Sequence, residues 1–172
     1  MKNTEPSFES KEKLRDVTIV FLVKKIEEKI TEVCLAMKKR GFGVNRWNGL
    51  GGKVEKDEEI LDGAIRETEE EIEVKIKQSN KVAEISFYFP HESSWNQKAH
   101  VYISEGWDGD PKESEEMRPD WFKVDEIPYS DMWPADKYWI PEVMNGKTIK
   151  ATFVLGEGDV VKEKNIEIIT GF

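Results

Sequence analysis

The sequence predicts an α+β fold, a single domain in which helices cover a mixed sheet. Three observations carry that expectation. Short apolar runs rich in β-branched residues outnumber helical patterns, one long helical pattern sits in mid-chain, and no repeat, low-complexity stretch or linker divides the chain.

Residues 17–23 (VTIVFLV) form a short, continuous, β-branched run, as a buried strand requires. The charged stretch 24–30 reads as a turn or an extended hairpin, and residues 31–37 are the next apolar run. Residues 38–43 make a basic, flexible connection. Residues 46–52 (RWNGLGG) hold too much glycine for a regular element and read as a shaped loop. The clearest helix spans residues 57–74, with Asp57 as candidate N-cap, Glu58 and Glu59 in the first turn and no interrupting proline. Gly63 weakens that helix by about 1 kcal/mol relative to alanine, so a neighbour is expected to pack close there. Residues 82–89, 99–104 and 121–124 read as strands. A second helix is expected over 131–144, its limits restricted by Pro134 and Pro141. Residues 148–155 and 160–169 read as a closing hairpin through Gly156-Glu157-Gly158-Asp159.

Of 172 residues, 26 are Lys or Arg and 35 are Asp or Glu, a formal charge of −9. That balance argues against a surface built for polymeric DNA, RNA or anionic lipid, where basic patches supply most of the affinity. A small phosphorylated ligand stays open, because bound cations neutralise both partners locally. The single cysteine, Cys34, rules out an intramolecular disulfide and any cysteine-rich zinc site, and reads as a buried packing residue. Residues 1–13 form a polar leader without the apolar segment of a signal peptide, leaving 14–172 as the domain. No stretch approaches the roughly 20 apolar residues that span a bilayer. A soluble monomer in the reducing cytosol is the expectation.

Chemistry enters on the first helix. Glu67, Glu70 and Glu71 stand at i, i+3 and i+4, so their carboxylates project from one face. Leu61, Ile65, Thr68 and Ile72 lie on another face that suits the core. A divalent cation would relieve the repulsion among the glutamates, and hard Mg²⁺ takes oxygen ligands. Read alone, the helix is better explained by an ordinary solvated acidic face, since such faces are common.

The surroundings of the helix change that balance. Residues 52–74 read GKVEKDEEILDGAIRETEEEIEV. This resembles the signature of the Nudix hydrolases: glycine, five residues, glutamate, seven residues, then Arg-Glu-apolar-any-Glu-Glu-any-Gly-apolar. Gly52, Glu58, Arg66, Glu67, Glu70, Glu71 and Val74 match it. Thr68 stands at a usually aliphatic position. Glu73 replaces a glycine that serves as a left-handed cap, so the helix is expected to end differently. The resemblance implies a Nudix-type α/β/α sandwich, a mixed sheet between helices with the signature forming a loop-helix-loop metal site. It also implies hydrolysis of a nucleoside diphosphate linked to another group, with Mg²⁺ as cofactor and Mn²⁺ as a substitute. By position, Glu67, Glu70, Glu71 and the Gly51 carbonyl would be metal ligands, and Arg66 would orient a glutamate. The metals would polarise a phosphoryl oxygen and activate water.

The match extends beyond that signature. Residues 35–43 (LAMKKRGFG), 46–49 (RWNG), 116–119 (EMRP) and 131–134 (DMWP) resemble the animal MutT homologues that hydrolyse oxidised purine nucleoside triphosphates. The resemblance implies a nucleotide pocket lined by Thr18, Lys38, Asn48, Phe87, Trp133 and Asp136, with Phe42, Leu50, Gly51, Gly52 and Lys53 beside them. Glu116 would reach the metal site from outside the helix. Trp133 and Phe87 offer flat apolar faces for a purine. The Asn48 amide has a donor and an acceptor for a polar base edge, and the Asp136 carboxylate can accept from guanine-like N–H groups. Ala135-Asp136 stands where the subfamily has two successive aspartates. Adjacent carboxyls share a proton and so offer donor and acceptor together; alanine is expected to narrow recognition of oxidised purines without abolishing phosphate chemistry. His91 and His100 form no metal motif, and residues 92–98 carry no assignable chemistry. The other readings are a Nudix hydrolase of another small nucleotide and a nucleotide-sensing module without hydrolysis. The intact glutamates speak against the sensor.

Overall fold

A computed structural model describes residues 14–172, and the leader 1–13 lies outside the described residues. β1 (Arg15–Ile26) and β2 (Lys29–Lys38) form a hairpin where the charged stretch was expected to turn, through Glu27 and Glu28 at φ 51° and 67°. The chain continues through β3 (Trp47–Asn48), α1 (Ile60–Ile72), β4 (Lys75–Tyr88), β5 (Gln97–Asp108) and β6 (Met117–Lys123). It ends with α2 (Asp136–Met144), β7 (Thr148–Leu155) and β8 (Val161–Ile169). One sheet runs β3-β2-β1-β5-β4-β7-β8, with β6 also paired to β2. β1 is parallel to β5 and β4 to β7, the other pairings being antiparallel, so the sheet is mixed.

The two strands of the first hairpin pair only near its tip, from Val23↔Val33 to Ile26↔Lys29. Further back they part, and the glycine-rich loop enters the gap. Trp47 and Asn48 take the edge of β2 at Met37 and Ala36. Leu50 and Lys53 bridge instead to Val20 and Val17 of β1.

Alternation along β1 assigns its residues to two cores. Phe21 and Val23 pack in a core shared with Trp139, Ile140 and Val143 of α2. Val20 and Leu22 belong to a second core with Leu50 and with Ala64 and Ile72 of α1. The helices therefore lie on opposite faces of the sheet, the expected sandwich. No helix among the described residues is long and apolar enough to cross a membrane.

Several boundaries depart from expectation. Asp57 does not cap α1: it sits in a turn at φ 64°, and Glu59 precedes the first helical residue without a side-chain cap bond. The buried stripe of α1 is Gly63, Ala64, Thr68, Glu71 and Ile72, whereas Leu61 is 40% exposed. The stripe is rotated because the helix buries one of its own carboxylates. Gly63 does meet a close neighbour, since an added Cβ would lie 3.0 Å from Glu58 Oε1. Glu73 keeps the left-handed ending that glycine was expected to be needed for, at φ 58°, with its N–H bonded to the Glu69 carbonyl. β4 begins at Lys75, well before the apolar residues that advertise it, because its first half alternates exposed charge with buried Ile76. α2 starts only at Asp136: the residue before Pro134 is driven from helical geometry, and a 3₁₀ turn at Tyr129–Asp131 stands in its place.

Candidate active site

The glycine loop is fastened to β1 by backbone bonds: Thr18 N–H donates to the Gly52 carbonyl (2.8 Å), and Val20 and Leu50 exchange bonds at 2.6 and 2.9 Å. Thr18 Oγ1 accepts from Gly52 N–H at 3.2 Å. Gly51 is required for conformation and space, because at φ 118° a Cβ would collide with the Thr18 carbonyl. Gly52 is required for approach. A Cβ there would stand 2.7 Å from Glu67 Oε2, so the loop presses directly on the helix carboxylate.

On α1, Arg66 organises the glutamates. Its Nε and Nη2 grip both oxygens of Glu58 (2.8 and 2.9 Å), and Nη1 donates to Glu67 Oε1 (2.9 Å) and Glu70 Oε2 (3.2 Å). Nη2 also donates to the Lys53 carbonyl, tying the loop to the helix. That fork holds the Glu58 carboxyl down at about 2. Glu71 lies in the opposite environment. Burial first, then the negative charge of Glu67, pushes its carboxyl up to about 8, against the pull of the Gly51 N–H and of Lys38. Burial likewise raises Glu67. Glu70 and Glu116 are half exposed, with side chains 59% and 52% accessible, and Glu116 pairs with Arg40 at 3.0 Å. Among the described residues, no three His, Cys, Asp or Glu side chains are drawn together at coordinating distances. Arg66 and Arg40 hold the outer carboxylates instead.

Beside the loop opens a cleft of about 470 Å³. Of the positions expected in a nucleotide pocket, Thr18, Lys38, Phe42, Asn48, Gly51, Gly52, Lys53, Phe87, Trp133 and Asp136 line it. Leu50 does not. It is fully buried on the α1 side of β1 with Val20 and Leu22, because its neighbours Gly49 and Gly51 face the other way. The cleft also takes Phe89, Trp95, Trp139, Gln97, Met117 and Arg15, which the sequence reading missed. Phe89 had a usable signal, standing two residues beyond Phe87 at the end of the same apolar run. Trp95, in the 92–98 loop, had none. It meets Phe42 at 5.4 Å and Phe89 at 5.6 Å between ring centroids.

Asp136 lies in the cleft at 7% exposure, accepts from Trp139 Nε1 at 3.1 Å, and is pushed up to about 7, chiefly by burial. Among the described residues it is the single acidic one lining the cleft. Its neighbour Ala135 is fully buried in the core and stands outside the lining. Asn48 is already engaged, accepting from Trp133 Nε1 (3.1 Å) and donating to the Arg46 carbonyl (2.7 Å). His100 is buried on the sheet between Asp16 and Lys81, 2.9 Å from each, and Cys34 is buried with its thiol pushed up to about 12.

A family model described as NUDIX domain matches residues 13–143. The mouse oxidized purine nucleoside triphosphate hydrolase is 41% identical over 140 residues, covering 81% of this chain and 89% of that protein. The Danio rerio protein of the same name is 39% identical over 135 residues, covering 78% and 86%. Among solved structures, a MutT protein of Bacillus halodurans superposes with a TM-score of 0.76 at 23% identity, over 90% of this chain and 98% of that one. A MutT Nudix hydrolase of Burkholderia pseudomallei gives 0.60 at 22%, over 68% and 88%. These last two bear on the fold alone.

Proposed function

The chain belongs to the Nudix family, and from that premise we propose that it is a metal-dependent diphosphatase of the nucleotide pool. Its substrates on this reading are oxidised purine nucleoside triphosphates such as 8-oxo-dGTP, cut to the monophosphate and pyrophosphate. One observation carries the reading: the glycine turn that presses on Glu67 and bonds Glu71 also forms the wall of an aromatic cleft large enough for a nucleoside.

The donor set suits a hard divalent cation. Glu67 and Glu71 are raised first by burial, with the charges of Glu70 and Glu116 adding at Glu67 and those of Glu67 and Glu116 at Glu71, a cost that a neighbouring cation removes. Glu67, Glu70, Glu71, the Gly51 carbonyl and Glu116 are the proposed ligands for Mg²⁺, with Mn²⁺ as substitute. Such an ion supplies a Lewis acid for a phosphoryl oxygen and lowers the pKa of water. The chain's own residues do the rest. Arg66 fixes the Glu67 carboxylate while keeping clear of substrate. Lys38 and Lys53, at the loop end of the cleft, meet the phosphates. Phe87 and Trp133 face the base, and stacking of this kind contributes about 1–3 kcal/mol. Asn48 keeps one donor hydrogen and one lone pair for the base edge after its two internal bonds. Asp136 accepts from a guanine-like N–H when ionised.

Pyrophosphate release from a panel of oxidised, methylated and ordinary purine triphosphates at fixed Mg²⁺ tests this. Release is expected to be fastest for an oxidised purine, and to be lost on chelation and in Glu71→Gln. Equal turnover of unmodified triphosphates would overturn the substrate reading. A second reading, the same chemistry on another modified base, is favoured by one observation. Ala135, fully buried and outside the lining, supplies no second carboxyl beside Asp136, so the paired donor and acceptor expected from the resemblance is missing. Unchanged selectivity in Ala135→Asp would count against it.

A further inference from the structure

Arg46 has no role in the site as proposed, yet it touches the supports of that site on several sides. Its Nη1 donates to Asp159 Oδ2 at 2.7 Å, in an ion pair whose side chains are 27% and 18% exposed. Its guanidinium lies over the indole of Trp133, Cζ 4.2 Å from the ring centroid. Its carbonyl accepts from Asn48 Nδ2 at 2.7 Å and from Lys38 N–H at 3.1 Å. Trp133 closes the circuit by donating to Asn48 Oδ1. The ring of Phe42, on the same loop as Arg46, stands 4.9 Å from the indole, and a Cβ on Gly43 would lie 3.2 Å from it. Loop and indole are thus packed as a unit. Asp159 comes from the turn between β7 and β8, 113 residues away, held at φ 61° after Gly158. A partly buried arginine–carboxylate bond is charge-assisted, and a guanidinium plane on an indole is directional as an ammonium is not.

We propose that Arg46 and Asp159 are positioning residues: their ion pair latches the β2–β3 loop to the C-terminal hairpin and holds Arg46 over Trp133, fixing the indole that meets the substrate base. The inference deepens the proposed function and rests on it for the identity of the ligand. Neither residue touches the carboxylates on α1.

Steady-state kinetics on the full chain, with the best purine triphosphate of the panel above, supply the first test. Arg46→Met is expected to raise KM about tenfold with kcat within about threefold, the pattern of lost binding without lost chemistry. Asp159→Asn raises KM by about three- to tenfold, and Arg46→Lys, which keeps charge but not the plane, falls between wild type and Arg46→Met. The double substitution is no worse than Arg46→Met alone, because Asp159 acts only through Arg46. An unchanged KM in Arg46→Met, or effects that multiply in the double variant, would overturn the latch. Should Arg46→Met fail to fold, Asp159→Asn, a change in a turn, carries the same test. Acrylamide quenching needs no turnover: the Trp133 contribution, isolated by subtracting the matching Trp133→Phe protein, is expected to rise about twofold or more when either latch residue is lost. A contribution that does not move overturns the latch. If wild type turns over no purine triphosphate, the proposed function fails by itself, and the quenching result still decides the latch.

Discussion

Asp136→Asn is expected to erase a pH dependence of stability that the wild-type chain carries. The carboxyl is raised from 3.8 to about 7, with burial as the leading cause and the bond from Trp139 opposing it. The folded state therefore holds this proton more tightly than the unfolded chain does. The associated stability is fully present below about pH 4 and is lost as pH rises through about 7. At 1.36 kcal/mol per pH unit the whole span is about 4 kcal/mol, of which about 3 kcal/mol is lost between pH 5 and 8. Asparagine carries no charge at any pH, and its Oδ1 still accepts from Trp139 Nε1. Thermal unfolding of both proteins at pH 5, 6, 7 and 8 is the assay. The wild-type Tm should fall relative to the variant by roughly 6–12 °C across that range. Other buried acids, Glu71 among them, titrate in both proteins and cancel in the difference. Parallel Tm profiles would refute the argument that burial sets the charge state of Asp136.

Gly52→Ala should leave Tm within a few degrees but cut turnover about a hundredfold, because the added methyl displaces the Glu67 carboxylate 2.7 Å away; pyrophosphate release and melting together check it. Leu50→Ala should cost about 2–5 kcal/mol in urea unfolding while leaving KM unchanged, since this side chain is fully buried away from the cleft. Glu73→Gly should stabilise by about 1 kcal/mol in the same measurement, as φ 58° penalises any residue with a Cβ.

Spacing made α1 and its carboxylates legible, because a helix repeats on a fixed period and the glycines around it are punctuation. The short apolar strands were legible for the same kind of reason. What periodicity could not register was tertiary compensation. Glu71 reads as one exposed acid among several, but it is buried against Gly51 and Lys38, and that turns the apolar stripe away from Leu61. Residues 75–81 look too charged for a strand, yet they pair with β5 across two register shifts and bury only Ile76. Leu50 sits among cleft residues in sequence and opposite them in space: Gly49 and Gly51 on either side of it line the cleft, and glycines carry no side chain from which that alternation could be read. The Arg46–Asp159 pair joins segments that nothing local connects.

β1 serves two masters. The backbone of Thr18 and Val20 anchors the glycine loop, while Val17, Ile19 and Phe21, with Thr18 among them, wall the cleft. Since a strand advances about 3.3 Å per residue and alternates strictly, this strand acts as a ruler whose marks are peptide units. On the proposed function a nucleotide would lie along that spacing, from the glycine turn to the aromatic rings, and no side-chain exchange recalibrates a backbone repeat. Only an insertion could, and inserting one residue would turn the wall residues beyond it inside out. Reach is thus frozen in the backbone, whereas taste for one ring over another stays free to drift.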